Sequence, residues 1–71
     1  MSANLPTTRD LLRERVLART GRRIRDLSVE VVEEKIVLRG QAESFHVKQL
    51  AQHGVWDLLP EAKLQNAIVV A

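Results

Sequence analysis

The chain has 71 residues, a net charge of +2 and no cysteine. A chain of this length forms one small domain that buries only about 60% of its unfolded surface, and without cysteine it has neither a disulfide nor a thiolate metal site. Its only Phe, Tyr or Trp residues are Phe45 and Trp56. The core must therefore be aliphatic, which leaves little room for an enclosed active site.

Targeting and membrane signals are weak along the whole chain. No stretch approaches the ~18 consecutive apolar residues of a membrane-spanning helix, and residues 1–6 lack the apolar segment of a secretory signal. We expect residues 1–6 to form a flexible tail and residues 7–71 to form one domain. The chain as written is expected in the cytoplasm, or in the periplasm if it is cut from a longer exported protein.

A first helix is predicted from Thr7 or Thr8 to about Thr20. Threonine is a good N-cap residue, and Asp10 lies in the first turn, where the helix dipole favours negative charge. Gly21 follows where a left-handed residue commonly ends a helix. The apolar residues of this segment are scattered around the wheel, so its buried face is poorly defined.

From Ile24 the hydrophobic period changes from that of a helix to that of a strand. Pairing Val32 with Lys35 in a hairpin places both apolar sets on one face of a sheet. Glu33 and Glu34 suit a two-residue turn poorly, because the favoured turns need positive φ, so a wider or somewhat strained turn is expected. The inward residues of the two strands are Leu27, Val29, Val31, Ile36 and Leu38.

A second helix is predicted from its cap at Ser44 to Leu58 or Leu59, after Gly40 ends the second strand. Gly54 lies in the middle of its apolar face, where it costs up to about 1 kcal/mol relative to alanine. We expect this glycine to permit a close approach of the helix to the sheet. The face consists of Val47, Leu50, Ala51, Gly54, Val55 and Leu58.

The last strand has Leu64, Ile68 and Val70 on its inward side. The element order helix, strand, strand, helix, strand indicates an α+β fold, an αββαβ two-layer sandwich with two helices on one face of a three-stranded mixed sheet. We predict that the last strand runs parallel to the second one. The sequence leaves the order of the strands open.

Two strand motifs resemble those of the BON domain family, named for bacterial osmotically inducible and nodulation proteins. The second strand reads Ile36-x-Leu38-x-Gly40, and the last reads Leu64-x-Asn66-x-Ile68-x-Val70. The resemblance spans about residues 10–70, although the hairpin lacks the glycine common in that family. It implies a small bacterial αββαβ module without catalytic residues or cofactors that binds a protein partner, itself or a phospholipid surface.

Gly40 and Asn66 are the family positions that this resemblance carries over. For Gly40 we favour a structural role, a backbone that needs positive φ or has no space for a side chain. Asn66 alternates with inward residues, and a buried amide needs hydrogen-bond partners. We therefore expect Asn66 to tie the last strand to a neighbouring loop rather than to bind a ligand.

Both aromatic residues are predicted on the side of the second helix that faces away from the core. Exposed aromatics suit a partner surface or a lipid interface. Alternatively, each lies near a helix end and folds over a loop. The candidate partner or lipid surface is Phe45, Gln49, Gln52 and Trp56.

The outward sheet face is a second candidate surface for self-association. Valine and alanine alternate there with polar residues, at positions Val32, Val37, Ala67 and Val69. An uncovered sheet face is usually polar, so this mixed composition is notable.

Arginines crowd the first third of the chain and form a candidate basic patch at Arg9, Arg13, Arg22 and Arg23. Such a patch attracts the phosphates of lipids or nucleic acids, but it also occurs as a solvated face. A small nucleic-acid-binding domain is thus the alternative function. It lacks a Gly-x-x-Gly loop and aromatic residues on its strands.

Catalytic and metal sites are not expected. His46 and His53 are seven residues apart, about 10.5 Å along a helix, whereas helical zinc pairs are four apart. No serine, histidine and carboxylate are spaced as a catalytic set. The sequence therefore predicts neither an enzyme nor a metal or cofactor site.

Overall fold

A computed structural model describes residues 7–71. The predicted tail at residues 1–6 lies outside the described residues. The element order confirms the predicted αββαβ arrangement, with α1 at Thr8–Arg19, β1 at Ile24–Val32, β2 at Lys35–Ala42, α2 at Phe45–Leu58 and β3 at Lys63–Val70.

The three strands form one mixed sheet in the order β1-β2-β3. β1 pairs with β2 in antiparallel orientation, and β3 pairs with β2 in parallel. The predicted parallel pairing of the second and last strands is therefore confirmed. The core contains side chains from both helices and from one face of the sheet only, so both helices cover the same face.

The first helix begins with a capping box in which Thr7 and Asp10 bond to each other's backbone. Thr7 Oγ1 accepts a hydrogen bond from Asp10 N, and Asp10 Oδ2 accepts one from Thr7 N, which satisfies two free N–H groups at the helix start. The buried face of α1 is formed by Leu12, Val16 and Leu17. Gly21 has the expected positive φ, +62°.

The second helix packs against the first helix at Gly54. A Cβ atom at Gly54 would lie 2.9 Å from Val16 Cα, closer than such atoms approach. The glycine thus permits a close helix–helix contact, whereas we expected a close contact with the sheet. The expectation was wrong because α1 lies beside α2 on the same sheet face.

The predicted apolar face of α2 is only partly buried. Val47, Ala51 and Val55 are fully buried, whereas Leu50 is half-buried and Leu58 is 45% exposed. Leu58 is the last residue of α2, and the next residue, Leu59, packs against the core in its place. Its predicted place in the core was wrong for that reason.

The hairpin has the predicted register, with Val32 opposite Lys35 and Val29 opposite Leu38. The turn is not wider than two residues, and Glu33 adopts a φ of +55°, a conformation that L-residues rarely adopt. Val31 is 44% exposed despite its inward position. It lies next to the turn on an edge strand, where few neighbours cover it.

A β-bulge interrupts β1 between Arg25 and Ser28, and Asp26 within it has a φ of +53°. Gly40 lies across from the bulge with a φ of +149°, and a Cβ atom there would be 2.9 Å from Arg25 O. The structural role expected for Gly40 thus has a physical cause. However, Gly40 does not end β2, because the strand continues to Ala42.

We expect Gly54→Ala to lower the free energy of unfolding by about 1–3 kcal/mol, because the added methyl group overpacks the helix contact. This loss exceeds the gain of up to about 1 kcal/mol in helix propensity. Urea denaturation measures the effect. The control is Gln49→Ala on an exposed position of the same helix, and equal stability of the two variants would contradict the role of Gly54.

Candidate functional site

The side of the sheet away from the helices is uncovered, and we call it the outer sheet face. Residues paired across neighbouring strands point to the same side of a sheet, so the register defines this face row by row. Its four rows, from the end with the β1 bulge to the hairpin end, are Arg25–Gln41–Val69, Ser28–Arg39–Ala67, Glu30–Val37–Gln65 and Val32–Lys35–Lys63.

The apolar residues of the outer sheet face are not contiguous. Val37, in the middle of the central strand, is only 6% exposed because the neighbours on both sides cover it, whereas Val32 is 51% and Val69 is 59% exposed. Ala67 is partly buried. The outward valines predicted from the sequence are therefore present, but the two exposed ones lie at opposite ends of the face.

The outer sheet face itself is basic. It carries four cationic side chains and one carboxylate, Glu30, which accepts a hydrogen bond from Arg39 Nε at 3.2 Å. Within residues 7–71, the other three cations are in no ion pair. Those cations are Arg25, Lys35 and Lys63. The face therefore presents positive charge to an approaching partner.

Arginines on the helix side of the molecule are bound by a carboxylate instead. Asp57 on α2 accepts hydrogen bonds from Arg15 Nε at 3.0 Å and from Arg19 at 2.9 and 3.1 Å. These hydrogen bonds, first from Arg19 and then from Arg15, lower the pKa of Asp57. This cluster joins α1 to α2, and the sequence did not indicate it because its members are about 40 residues apart.

The basic patch predicted from the sequence is not a cluster of unpaired cations. Arg13 and Arg22 both lie near Glu14, at 3.7 and 3.6 Å, and Arg23 lies 3.4 Å from Glu43. Arg9 is exposed. The sequence showed the excess of arginine but not which carboxylates would face it.

The two aromatic residues have different environments. Phe45 is 61% exposed in the first turn of α2. Trp56 is partly buried and donates a hydrogen bond from Nε1 to Ala62 O at 3.4 Å. Its ring is edge-on to the His53 ring, with 6.0 Å between the ring centroids. Trp56 thus folds over the connection to β3, which is the alternative considered from the sequence.

The two glutamines of that candidate surface also differ in their exposure. Gln49 is exposed, whereas Gln52 is half-buried and bonded within the chain. Phe45 and Trp56 are eleven positions apart, which is about 16 Å along a helix. The four residues therefore do not form one apolar patch, and Phe45 is its exposed part.

Asn66 links β3 to α2. Its Nδ2 group donates to Lys48 O at 2.9 Å and to Gln52 Oε1 at 3.1 Å, and its Oδ1 atom accepts from Ile68 N at 3.2 Å. The partner is a helix, whereas we expected a loop. The amide is satisfied on both ends, which gives Asn66 a structural role.

Features of catalytic or metal chemistry are not assembled in residues 7–71. No three His, Cys, Asp or Glu side chains of this part are grouped as a metal site requires. His46 and His53 are both exposed. In the same residues, no helix has the length and hydropathy needed to cross a membrane.

No family model, curated protein or solved structure matches the chain. The resemblance to the BON domain family rests on the order and spacing of motifs in the sequence.

We expect Asn66→Ala to lower the free energy of unfolding by about 1–3 kcal/mol, because it removes hydrogen bonds at a half-buried site. Chemical denaturation measures the loss. Gln65→Ala changes the neighbouring exposed amide and is the control. Equal losses of stability in both variants would contradict a stabilising role for the hydrogen bonds from Asn66 to α2.

The Asp57 cluster predicts a defined pH dependence. A lowered pKa in the folded state means that the unfolded chain binds more protons, so Asp57 stabilises the fold above its unfolded pKa of about 3.9. This contribution is lost as the pH falls through the folded pKa. Asp57→Asn should therefore be less stable than the parent at pH 7, and the difference should shrink in acid.

Thermal unfolding between pH 7 and pH 2 tests this expectation. Glu61→Gln, which removes an exposed carboxylate outside the ion pairs of residues 7–71, is the matched control. A stability difference for Asp57→Asn that stays constant with pH would refute the role of its charge.

Proposed function

We propose that the chain is a non-catalytic interaction module of BON type that binds an acidic protein surface through the outer sheet face. The observation that carries this proposal is the uncovered face with four cations against one carboxylate. Exposed valines at both ends add apolar contact area. The αββαβ order agrees with what the BON resemblance implies.

Charge favours a different partner over a second copy of the chain. Packing two outer sheet faces together would bring like charges into contact, which costs energy in a partly desolvated interface. Glu33 and Glu34 border only the hairpin end; neither is in an ion pair with Lys35 or Lys63, and both lie far from Arg25. An acidic partner would meet positive charge along most of the face.

The size of the outer sheet face limits the affinity. Eight residues at about 3.3 Å and three strands at about 4.8 Å cover roughly 26 by 14 Å. That is less than the roughly 800 Å² per partner of a stable interface. We therefore expect weak, salt-sensitive binding, because exposed charges are screened at physiological ionic strength.

Nuclear magnetic resonance titration with a poly-glutamate peptide tests the proposal. We expect shifts of backbone amides in the rows of Arg39 and Lys35, and a weaker effect in the double variant Lys35→Gln/Lys63→Gln. The control is Arg9→Gln/Arg13→Gln, which removes two charges from α1. Shifts confined to α1 and α2, or equal losses in both double variants, would refute this surface.

An anionic phospholipid surface is the second partner class that the resemblance implies. Phe45, with 61% of its surface exposed, is the side chain best placed to enter a lipid interface. Vesicles of phosphatidylglycerol, compared with vesicles of phosphatidylcholine, test for it. Binding that is lost in Phe45→Ser, but not in the double lysine variant, would favour the lipid surface over the acidic protein.

A nucleic-acid-binding domain remains the alternative function, and the open basic sheet face is the observation that favours it. However, none of the twelve side chains of that face is aromatic, so it offers no stacking platform. Fluorescence anisotropy with oligo-uridine at two salt concentrations discriminates the two functions. If oligo-uridine binds more tightly than poly-glutamate and with steep salt dependence, the partner is RNA rather than an acidic protein.

A further inference from the structure

A pocket of about 390 Å³ lies where the α1–β1 connection meets the end of β2. We call it the arginine pocket. Small-molecule sites are typically about 300–1,000 Å³, so its volume suits a small ligand. Its lining residues are Arg22, Arg23, Arg25, Gln41, Ala42 and Glu43, together with Ala71.

The backbone places the three arginines of the pocket. Gly21 and Arg22 both have left-handed φ values, +62° and +60°, so the chain reverses directly after α1. Arg22 N donates to Leu17 O at 2.8 Å, which holds this turn on the helix. A left-handed conformation is unfavourable at a non-glycine residue such as Arg22, so the fold maintains it against a local preference.

The β1 bulge sets the position of the third arginine. Arg25 is the last paired residue before the bulge and lies opposite Gln41. Bulges commonly redirect neighbouring side chains, and the absence of a side chain at Gly40 leaves the space that this bulge needs. The arginine and the amide of Gln41 are thereby brought to one wall of the pocket.

Positive charge exceeds negative charge among the lining side chains, with three guanidinium groups and one carboxylate. Arg23 donates from Nε to Thr20 O at 3.1 Å and lies 3.4 Å from Glu43, so its guanidinium is held in place. Arg25 is in no ion pair within residues 7–71. Arg22 lies 3.6 Å from Glu14, so Arg25 is the lining cation whose charge a bound anion would offset most.

We propose that the arginine pocket binds a phosphate group. Guanidinium groups match phosphate oxygens with paired hydrogen bonds, and a phosphate monoester carries close to two negative charges and three acceptor oxygens. Three arginines and the Gln41 amide supply enough donors for these oxygens. The proposal does not depend on a partner for the rest of the outer sheet face.

Titration with inorganic phosphate tests the proposal, with sodium chloride at matched ionic strength as the reference. Magnetic resonance of the arginine side-chain N–H groups reports binding at Arg22, Arg23 and Arg25 directly. We expect saturable binding in the millimolar range. No saturable shift, or equal shifts with chloride, would overturn the proposal.

Two variants with opposite expected effects on phosphate affinity test the site further. Arg25→Gln should weaken phosphate binding about tenfold, the value of one charge-assisted hydrogen bond, whereas Glu43→Gln should strengthen it by freeing Arg23. Arg9→Gln removes the same charge outside the pocket and should leave the affinity unchanged. Equal losses in Arg9→Gln and Arg25→Gln would show a non-specific charge effect and refute the site.

Folding and the source of the phosphate are checked separately. Circular dichroism and thermal unfolding confirm that each variant is folded, and Lys35→Gln/Lys63→Gln should bind phosphate as the parent does. Vesicles with phosphatidic acid are compared with phosphatidylcholine vesicles. Binding of free phosphate without Arg25-dependent binding of phosphatidic acid vesicles supports a soluble ester as ligand, whereas Arg25-dependent binding of both supports a lipid headgroup.

Discussion

The contact between Gly54 and the backbone of Val16 is the constraint on which the two-layer arrangement depends. Three strands about 4.8 Å apart form a sheet about as narrow as the 8–10 Å spacing of two packed helices. Both helices therefore fit on one face only if they approach closely, and a side chain at Gly54 would separate them. Because both helices lie on the inner face, the outer sheet face is left uncovered. The surface proposed for binding is thus a consequence of how the core is packed.

The bulge in β1 and Gly40 in β2 form a second close backbone contact that requires a glycine. The bulge needs Asp26 at a positive φ and a neighbour without a side chain, and Gly40 supplies the latter. The irregularity shifts the side-chain alternation of β1, so that Ile24 and Leu27, three residues apart, are both buried. It also sets Arg25 beside Gln41. The bulge that keeps Ile24 and Leu27 in the core therefore also positions Arg25 and Gln41 at one wall of the arginine pocket.

Local patterns in the sequence predicted the elements and the hairpin register, since alternation and helix capping are encoded within a few residues. Asn66 and Gly40 were recognised as structural positions, but not their partners. The bulge was missed because Arg25 and Asp26 interrupt the alternation without a glycine or proline to mark it. The charge pairs of Asp57 were missed because they join elements about 40 residues apart, and only the packing of α1 on α2 brings them together.

The placement of these pairs determines which arginines of the first third keep an unpaired charge. Arg15 and Arg19 share the one carboxylate of Asp57 on the helix side, so about half of their charge is offset at the protein surface. Arg25 and the lysines of the outer sheet face have no such partner within residues 7–71. Of the arginines in the first third of the chain, Arg25 is the one that lies on the outer sheet face, at its end next to the arginine pocket. Electrostatic attraction depends on unpaired charge rather than on composition, and the unpaired cations of the outer sheet face are the ones that we propose to attract an anionic partner.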